Sequence, residues 1–414
     1  MKPAALTRAR TPVRSSLLAC AVALAVPAAH AEDLLGDALA KGKTNLELRY
    51  RLENVAQDPT VKEANASTLR TRVRYTSGEW AQSSLTLEMD NVSRIGEDRY
   101  NDTRNGKATF PTVVDPDGTD LNQALVKYMG VANTPITVGR QRVNLDNQRW
   151  IGSVGWRQNE QTLDGITLEY KGIDKLTATY GFINRVNRIS GPENLTPVAA
   201  ATAAELDTEL HLVNVKYAAS GALTAVGYAY LLDYDRFAAA STQTLGVRLT
   251  GSLPVGEAKF GYSAEMAQQS EYAQNAASFS ADYLLAELTF GTAAVEAQLG
   301  YELLGSDGGI AVQTPLATLH KFQGWADKFL ATPGGGLLDM YAGVAGKAAG
   351  IGYALAYHTY ESDATGATYG DEVNVQVSKT FAKRYTVTAK YADYAKDTFA
   401  TDTSKLWLMA EAKF

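Results

Sequence analysis

The feature that most constrains this chain is strict alternation of apolar and polar residues. From Asn45 to Glu53, Leu46, Leu48, Tyr50 and Leu52 take one parity, and Glu47, Arg49, Arg51 and Glu53 take the other. Successive side chains of a strand point to opposite faces, so this run reads as a β-strand with one apolar face. Leu69, Thr71, Val73 and Tyr75 alternate in the same way with Arg70, Arg72 and Arg74, and Leu85, Leu87 and Met89 alternate with Glu88 and Asp90. The pattern reaches the end of the chain, through Val295 to Glu302 and Tyr385 to Tyr391, to Leu406, Leu408, Ala410, Ala412 and Phe414 on one parity. The fold class is therefore all-β.

Composition removes several alternatives. The chain of 414 residues is 45% hydrophobic and has a mean hydropathy of −0.18, with no apolar run of 18 residues. A bundle of membrane helices needs roughly 20 such residues per span, so it is excluded. The 39 Lys and Arg against 45 Asp and Glu lack the basic footprint of a nucleic-acid binder. Lys2, Arg8, Arg10 and Arg14 precede an apolar stretch from Leu17 to Ala29, and Ala29-His30-Ala31 has the small-x-small form of a cleavage site. Residues 1–31 are thus expected to be a signal peptide, and residues 32–414 the mature barrel. Losing those four cations takes the net charge from −6 to −10. The single cysteine, Cys20, leaves with the leader, and with it any disulfide or thiolate chemistry.

A soluble sandwich would alternate too, so the connections decide. Long segments at 54–67, 92–119, 143–161, 188–207, 268–279, 305–336 and 361–371 take turns with short ones at 76–79, near Gly130, and at 171–174, 219–221 and 291–292. Long loops on one rim and tight turns on the other are the layout of a transmembrane antiparallel β-barrel of the outer membrane, with the loops extracellular and the turns periplasmic. The count of strands is about 18 by this pattern. Tyrosines at strand ends fit an interfacial girdle, and Phe414 on the last strand resembles the signal read by outer-membrane assembly machinery. The lipid bilayer and lipopolysaccharide are the surroundings this implies. In hydrocarbon an open sheet edge has nothing to satisfy it, so the sheet closes and encloses a lumen.

With the apolar parity toward lipid, the other lines the lumen with Glu47, Arg49, Arg51, Arg70, Arg72, Arg74, Glu88, Asp90 and Lys127. Guanidinium groups are permanent cations whose forks match carboxylates, so this wall either pairs internally across strands or attracts anionic solutes. Gly139 interrupts the parity as a bulge would, and the segment that follows carries Arg149, Trp150, Trp156 and Arg157 among glycines. These four are candidate constriction residues. Thr314-Pro315 reads as an N-cap and first helical position, followed by Leu319, His320, Phe322, Trp325, Ala326, Asp327 and Phe329, with a helical face that predicts a short plug or lid helix. Asp115, Asp117 and Asp120 form the one weak metal candidate, a calcium-like oxygen cluster without EF-hand spacing, and ordinary turn chemistry is the preferred account of it. No cofactor is expected.

At this level the chain resembles the alginate-export family of outer-membrane porins. The resemblance lies in Val138-Gly139-Arg140-Gln141, in the run from Asn147 through Trp150, Gly155 and Trp156 to Asp164, and in Thr314-Pro315-Leu316-Ala317-Thr318-Leu319-His320-Lys321-Phe322-Gln323-Gly324-Trp325-Ala326-Asp327. It implies an eighteen-stranded barrel with an electropositive constriction that passes polyuronate. It also makes Arg140 and Arg149, then Arg157, the first choices for pore cations. The mature charge of −10 runs against a dedicated polyanion exporter.

Three functions follow. The first is a passive channel for small anionic or acidic-saccharide solutes, including uronates. The second is a structural barrel plugged by its own loops. The third, an enzyme on the barrel, has little behind it: no G-x-S-x-G and no H-E-x-x-H occur, and His211, His320 and His358 stand far apart in sequence. No Walker A loop is present to couple nucleotide energy, and the dozen or so residues before the first strand are too few for a plug domain.

Overall fold

The computed structural model describes residues 28–59, 62–191 and 203–414. A helix, α1 (Ala28–Ala40), leads into a closed wall of eighteen antiparallel strands. The first half comprises β1 (Lys43–Gln57), β2 (Ala64–Thr76), β3 (Ser83–Arg99), β4 (Gly118–Tyr128), β5 (Ile136–Gln141), β6 (Thr162–Ile173), β7 (Leu176–Asn187), β8 (Glu205–Ser220) and β9 (Leu223–Tyr234). The second comprises β10 (Thr242–Val255), β11 (Ala258–Glu271), β12 (Ser280–Gly291), β13 (Glu296–Leu304), β16 (Leu337–Ala348), β17 (Ile351–Glu361), β18 (Thr368–Phe381), β19 (Tyr385–Lys396) and β20 (Thr403–Lys413). Two-residue strands β14 (Ser306–Asp307) and β15 (Ile310–Ala311) form a small hairpin within a loop, outside the wall. Each wall strand pairs with the next, and β1 pairs with β20 from Glu47↔Lys413 to Gln57↔Thr403, which closes the ring. Closure leaves no edge for the hydrocarbon to expose.

The alternation holds as expected. Met89, Leu245, Leu249, Met266, Leu288, Phe290 and Leu299 project outward, while Glu88, Asp90, Arg51, Lys390 and Trp407 of the opposite parity are buried inside. Tyr170, Tyr217, Phe290, Phe381, Tyr385 and Phe414 are exposed near the short-turn rim, where an interfacial girdle sits. Other tyrosines depart from the girdle expectation. Tyr228, Tyr230, Tyr234 and Tyr283 are buried within the barrel, where the inner face of β8, β9 and β12 is largely apolar and needs partners, and Tyr360 and Tyr394 of β17 and β19 are buried against Phe329.

Those partners are loops. The long connections are L2 (100–117), L3 (142–161), L4 (188–204) and L7 (305–336), and the opposite rim has turns as short as 174–175, 221–222 and 349–350. Two loops are shorter than the sequence suggests: the first spans 58–63 rather than 54–67, and β3 runs on to Arg99 before L2 begins. Trp150 and Ile151 of L3, with Val312, Leu316, Ala326 and Phe329 of L7, pack against Leu206, Leu210, Leu212, Tyr228 and Tyr283 of the wall. The loops are tied to each other by main-chain bonds, Gly152 N to Leu316 O at 2.8 Å and Thr318 N to Gln148 O at 3.0 Å.

Two local expectations fail. The plug helix over 316–329 is not formed; only a three-residue 3₁₀ turn, Leu319–Lys321, is present. Gln323, Gly324 and Asp327 take positive φ values of 50°, 74° and 59°, which break any helical run, and the backbone N–H groups of Trp325 and Ala326 donate to Glu372 of the wall instead. Gly139 is not a bulge, since β5 pairs with β4 and β6 through it in continuous register. It has a φ of 119°, and a Cβ there would lie 2.3 Å from Ala124 O, so the position requires glycine for close strand approach. The expected leader lies mainly outside the described residues, and α1 spans the Ala31–Glu32 junction.

Candidate functional site

The site is built where L2, L3 and L7 meet the arginine-bearing wall of β1 and β2. Period-two geometry puts Arg49, Arg51, Arg70, Arg72 and Arg74 on the inward face, and L3 descends onto them. Arg49 Nη1 donates to the carbonyls of Gly155, Trp156 and Arg157 at 3.0, 3.4 and 3.3 Å, and its Nε donates to Glu411 at 2.6 Å. Arg51 donates to Trp156 O and, at 3.1 Å, to Asp115 of L2. The guanidinium of Arg51 also lies 4.4 Å from the Trp156 ring centroid, so this wall seats the L3 tip.

Around that seat the charges are closely matched. Arg72 grips Asp90 with two bonds of 2.6 Å and Glu160 at 2.8 Å, while Glu88 collects Arg74 at 2.5 Å and Arg142 at 2.9 Å. Burial alone would push the Glu160 carboxyl up, but Arg72 and Arg142 outweigh it and hold it at about 2. Asp115 shows the same contest: burial raises it, and Arg51 and Arg157 bring it below the usual carboxylate range. Arg157 reaches three elements at once, Glu53 of β1 at 3.0 Å, Asp327 of L7 at 3.4 Å and Asp115 at 3.9 Å.

On the other side of Asp327 lies an aromatic cluster. His320 donates to or accepts from Asp327 at 2.7 Å through Nδ1 and meets Lys390 Nζ at 2.7 Å through Nε2. Its ring stacks on Trp156 at 4.2 Å and meets Trp407 edge-on at 5.6 Å. The Lys390 ammonium stands 3.7 Å from the Trp325 ring, and Lys405 closes the group with a 2.8 Å bond to Asp327. A third cluster holds Arg149, which pairs with Glu302 at 2.8 Å and lies 4.7 Å from the Phe322 ring, beside Trp150, whose indole N–H donates to Glu265 at 2.8 Å.

The structure therefore gathers Arg49, Arg51, Arg70, Arg72, Arg157, Glu88, Asp90, Trp156, His320, Trp325 and Asp327 where L2, L3 and L7 meet the wall, with Arg149, Trp150 and Phe322 in a neighbouring cluster. Leu319 is half-buried and makes none of these contacts. Arg140 lies elsewhere. It shares a register position with Ala124 and Asp164, on the parity of outward-facing Val126 and Ile166, and pairs with Asp164 at 2.9 Å. The resemblance placed it in the pore, whereas the register places it on the outer parity, where β5 ends and the chain turns inward. The three aspartates of the weak metal candidate diverge: Asp115 enters the lumen, Asp117 pairs with Arg94 at 2.9 Å and Asp120 with Arg140 at 3.7 Å. Each carboxylate is drawn to a different guanidinium, so no oxygen cage forms from them.

Several contributors were not singled out from the sequence: Arg142, Glu53, Glu160, Glu302, Lys390 and Lys405. Lys390, Lys405 and Glu302 occupy the inward parity, so the alternation that exposed the β2 arginines carried their signal too. Arg142 and Glu160 lie in L3, outside any strand register, and nothing in the sequence announces their pairing.

Comparisons agree with this architecture. No curated protein matches the chain. Among solved structures, the outer membrane protein opdK from Pseudomonas aeruginosa superimposes with a TM-score of 0.71 at 13% identity, covering 91% of this chain and 99% of its own. OccK3 (OpdO) of the same organism gives 0.71 at 15%, covering 92% and 98%, and OccAB4 of Acinetobacter baumannii gives 0.69 at 14%, covering 90% and 98%. At such identities the shared property is the fold, a closed eighteen-stranded antiparallel barrel. The family model for alginate export matches residues 43–317, from the first strand through the loop that ties L7 to L3, and the chain belongs to the alginate-export family.

Proposed function

We propose that this barrel is a passive channel favouring small anionic solutes, acidic saccharides such as uronates among them. The observation that carries the reading is the pair Arg49 and Arg70, which stand directly opposite each other on the inner face of β1 and β2. Like charges in register destabilise a sheet. Among the described residues Arg70 has one weak acidic contact, Glu47 at 3.4 Å, and its Nε and Nη1 have no hydrogen-bond partner. A carboxylate passing Arg49, whose side chain keeps 15% of its surface open, would relieve the like-charge opposition, and a guanidinium fork suits it. A structure of OpdK with vanillate gives a second small acid to try as a probe.

The test is the reversal potential of the purified protein in a planar bilayer under a KCl gradient. Anion selectivity is expected, moving toward unity in Arg70→Gln. Cation selectivity in the wild type would overturn the reading. The cross-ties between L3 and L7 favour the second reading, a loop-plugged structural barrel, and that reading requires no conductance in the same experiment. Either way the barrel is read as non-enzymatic and without a cofactor.

The remaining partners belong to this proposal. Phe414 exchanges main-chain bonds with Leu46, N to O at 2.9 Å and O to N at 3.1 Å, which supports a role for the terminal strand in recognition by the assembly machinery. Lipopolysaccharide would meet the outer face at the loop rim. Intact mass of the protein taken from the outer membrane reads whether residues 1–31 have been removed, and an uncleaved mass would contradict the leader reading.

A further inference from the structure

The last turn of α1 is fastened to the outer side of the short-turn rim. Gly78, in the turn between β2 and β3, donates its N–H to Ala38 O at 2.7 Å, and the Tyr75 hydroxyl donates to Leu39 O. Tyr75 belongs to the outward parity of β2: it follows exposed Val73 by two residues and stands opposite Leu87, which is exposed on β3. Its ring also covers Gly42, where a Cβ would come within 2.3 Å of it. Val73 in turn stands opposite Leu46, and Leu46 exchanges main-chain bonds with Phe414 of the aromatic girdle. A side chain on the lipid-facing side of the wall therefore meets the end of α1, within one pleat of the girdle.

The helix carries its apolar residues on one side. With 3.6 residues per turn, Leu34, Ala38, Leu35 and Leu39 fall within an arc of about 140°, and Gly36, Asp37 and Ala40 lie behind it. Ala38 is buried against the rim, whereas Leu34, Leu35 and Leu39 are 52%, 40% and 42% exposed, the same range as Met89 and Leu249 on the outer wall. Asp37, on the other side, pairs with Lys41 at 3.1 Å, both of them exposed. A helix of this length is marginal in water by itself. Among the described residues the bonds from the barrel to α1 reach only Ala38 and Leu39, so the leucine face needs a covering surface to hold the earlier turns. The surface continuous with it is the lipid that Val73, Leu87 and Phe414 already face. All three leucines follow the Ala31–Glu32 junction and stay with the chain when the expected leader is removed.

We propose that α1 is a membrane-surface foot, lying along the periplasmic leaflet at the rim with Leu34, Leu35 and Leu39 set into the boundary between phospholipid headgroups and acyl chains. The inference stands apart from what passes through the lumen. The test uses the full chain carrying Cys20→Ser, so that an introduced cysteine is the one thiol. It is labelled with bimane and reconstituted in phosphatidylcholine vesicles, with and without lipid bearing a nitroxide at the headgroup end of its acyl chain. The label on Leu35→Cys is expected to lose about half or more of its emission to the nitroxide lipid, as befits a side chain roughly 5–10 Å into the interface, and the label on Asp37→Cys, on the opposite side of the helix, far less. Val73→Cys, on the outer wall of β2, is expected to be quenched as strongly as Leu35→Cys and reports that the barrel has inserted. Quenching at position 73 with none at position 35, or equal quenching at positions 35 and 37, would overturn the proposal. A disulfide-linked dimer formed by unlabelled Leu35→Cys and not by Asp37→Cys would overturn it too, by assigning the leucine face to a second copy of the chain.

Discussion

His320 meets Asp327 through Nδ1 and Lys390 through Nε2, each at 2.7 Å, within a closed cluster. The imidazole is neutral. Burial is the main cause, and with Lys390 and Arg157 nearby it brings the His320 pKa down to about 3 despite Asp327. In the unfolded chain the same group takes its proton near pH ~6.5. Between those values the unfolded state binds more protons, so this residue's contribution to stability is full above the unfolded pKa and is lost as pH falls through the window to about 3. The urea midpoint of the wild type should fall across that window more steeply than that of His320→Gln. Parallel slopes for the two proteins would show that His320 is not held neutral.

At the scale of elements, L7 is shaped by the wall rather than by its own helical propensity. Gly324 sits at φ 74° with its Cα against Glu372 and Tyr360, and a Cβ would come within 2.4 Å of both side chains. A left-handed conformation costs a non-glycine residue roughly 1–2 kcal/mol before any clash is added. Gly324→Ala should therefore loosen the bonds from Trp325 N and Ala326 N to Glu372 and make 305–336 the preferred site of limited proteolysis, while the barrel keeps its heat-resistant mobility on gels. Cleavage no faster than in the wild type would show that L7 does not depend on this seat. The same segment marks where sequence reading stops. Alternation from Asn45 onward made strands, parity and loop positions legible, because each depends on neighbours two residues away. The apolar spacing of Leu319, Phe322, Ala326 and Phe329 misled because Phe322 meets Arg149 of L3 while Ala326 and Phe329 meet β17–β19, at distances along the chain that no local period encodes. Arg140 misled for a related reason: family position does not report on which side of a short strand a residue emerges.

For the whole molecule, the decisive property is that one face of every strand answers to hydrocarbon and the other to a packed, charged interior. Leu249, mid-strand in β10, is 43% exposed on the outer face, and Thr250 points inward. Leu249→Arg should cost about 2–4 kcal/mol of unfolding free energy in lipid vesicles, as an arginine near the bilayer midplane does, and Thr250→Arg far less. Equal costs would mean that the outer and inner faces are misassigned. The ties between L3 and L7 also bear on how the molecule comes to be. Gln161 reaches Leu316 across 155 residues of chain, and Val154 N reaches Thr318 across 164. Contacts that distant form only after the intervening β6–β13 wall has brought their ends together. The strut across the lumen therefore carries a large loop-closure cost, whereas almost every pairing of the wall joins neighbours along the chain.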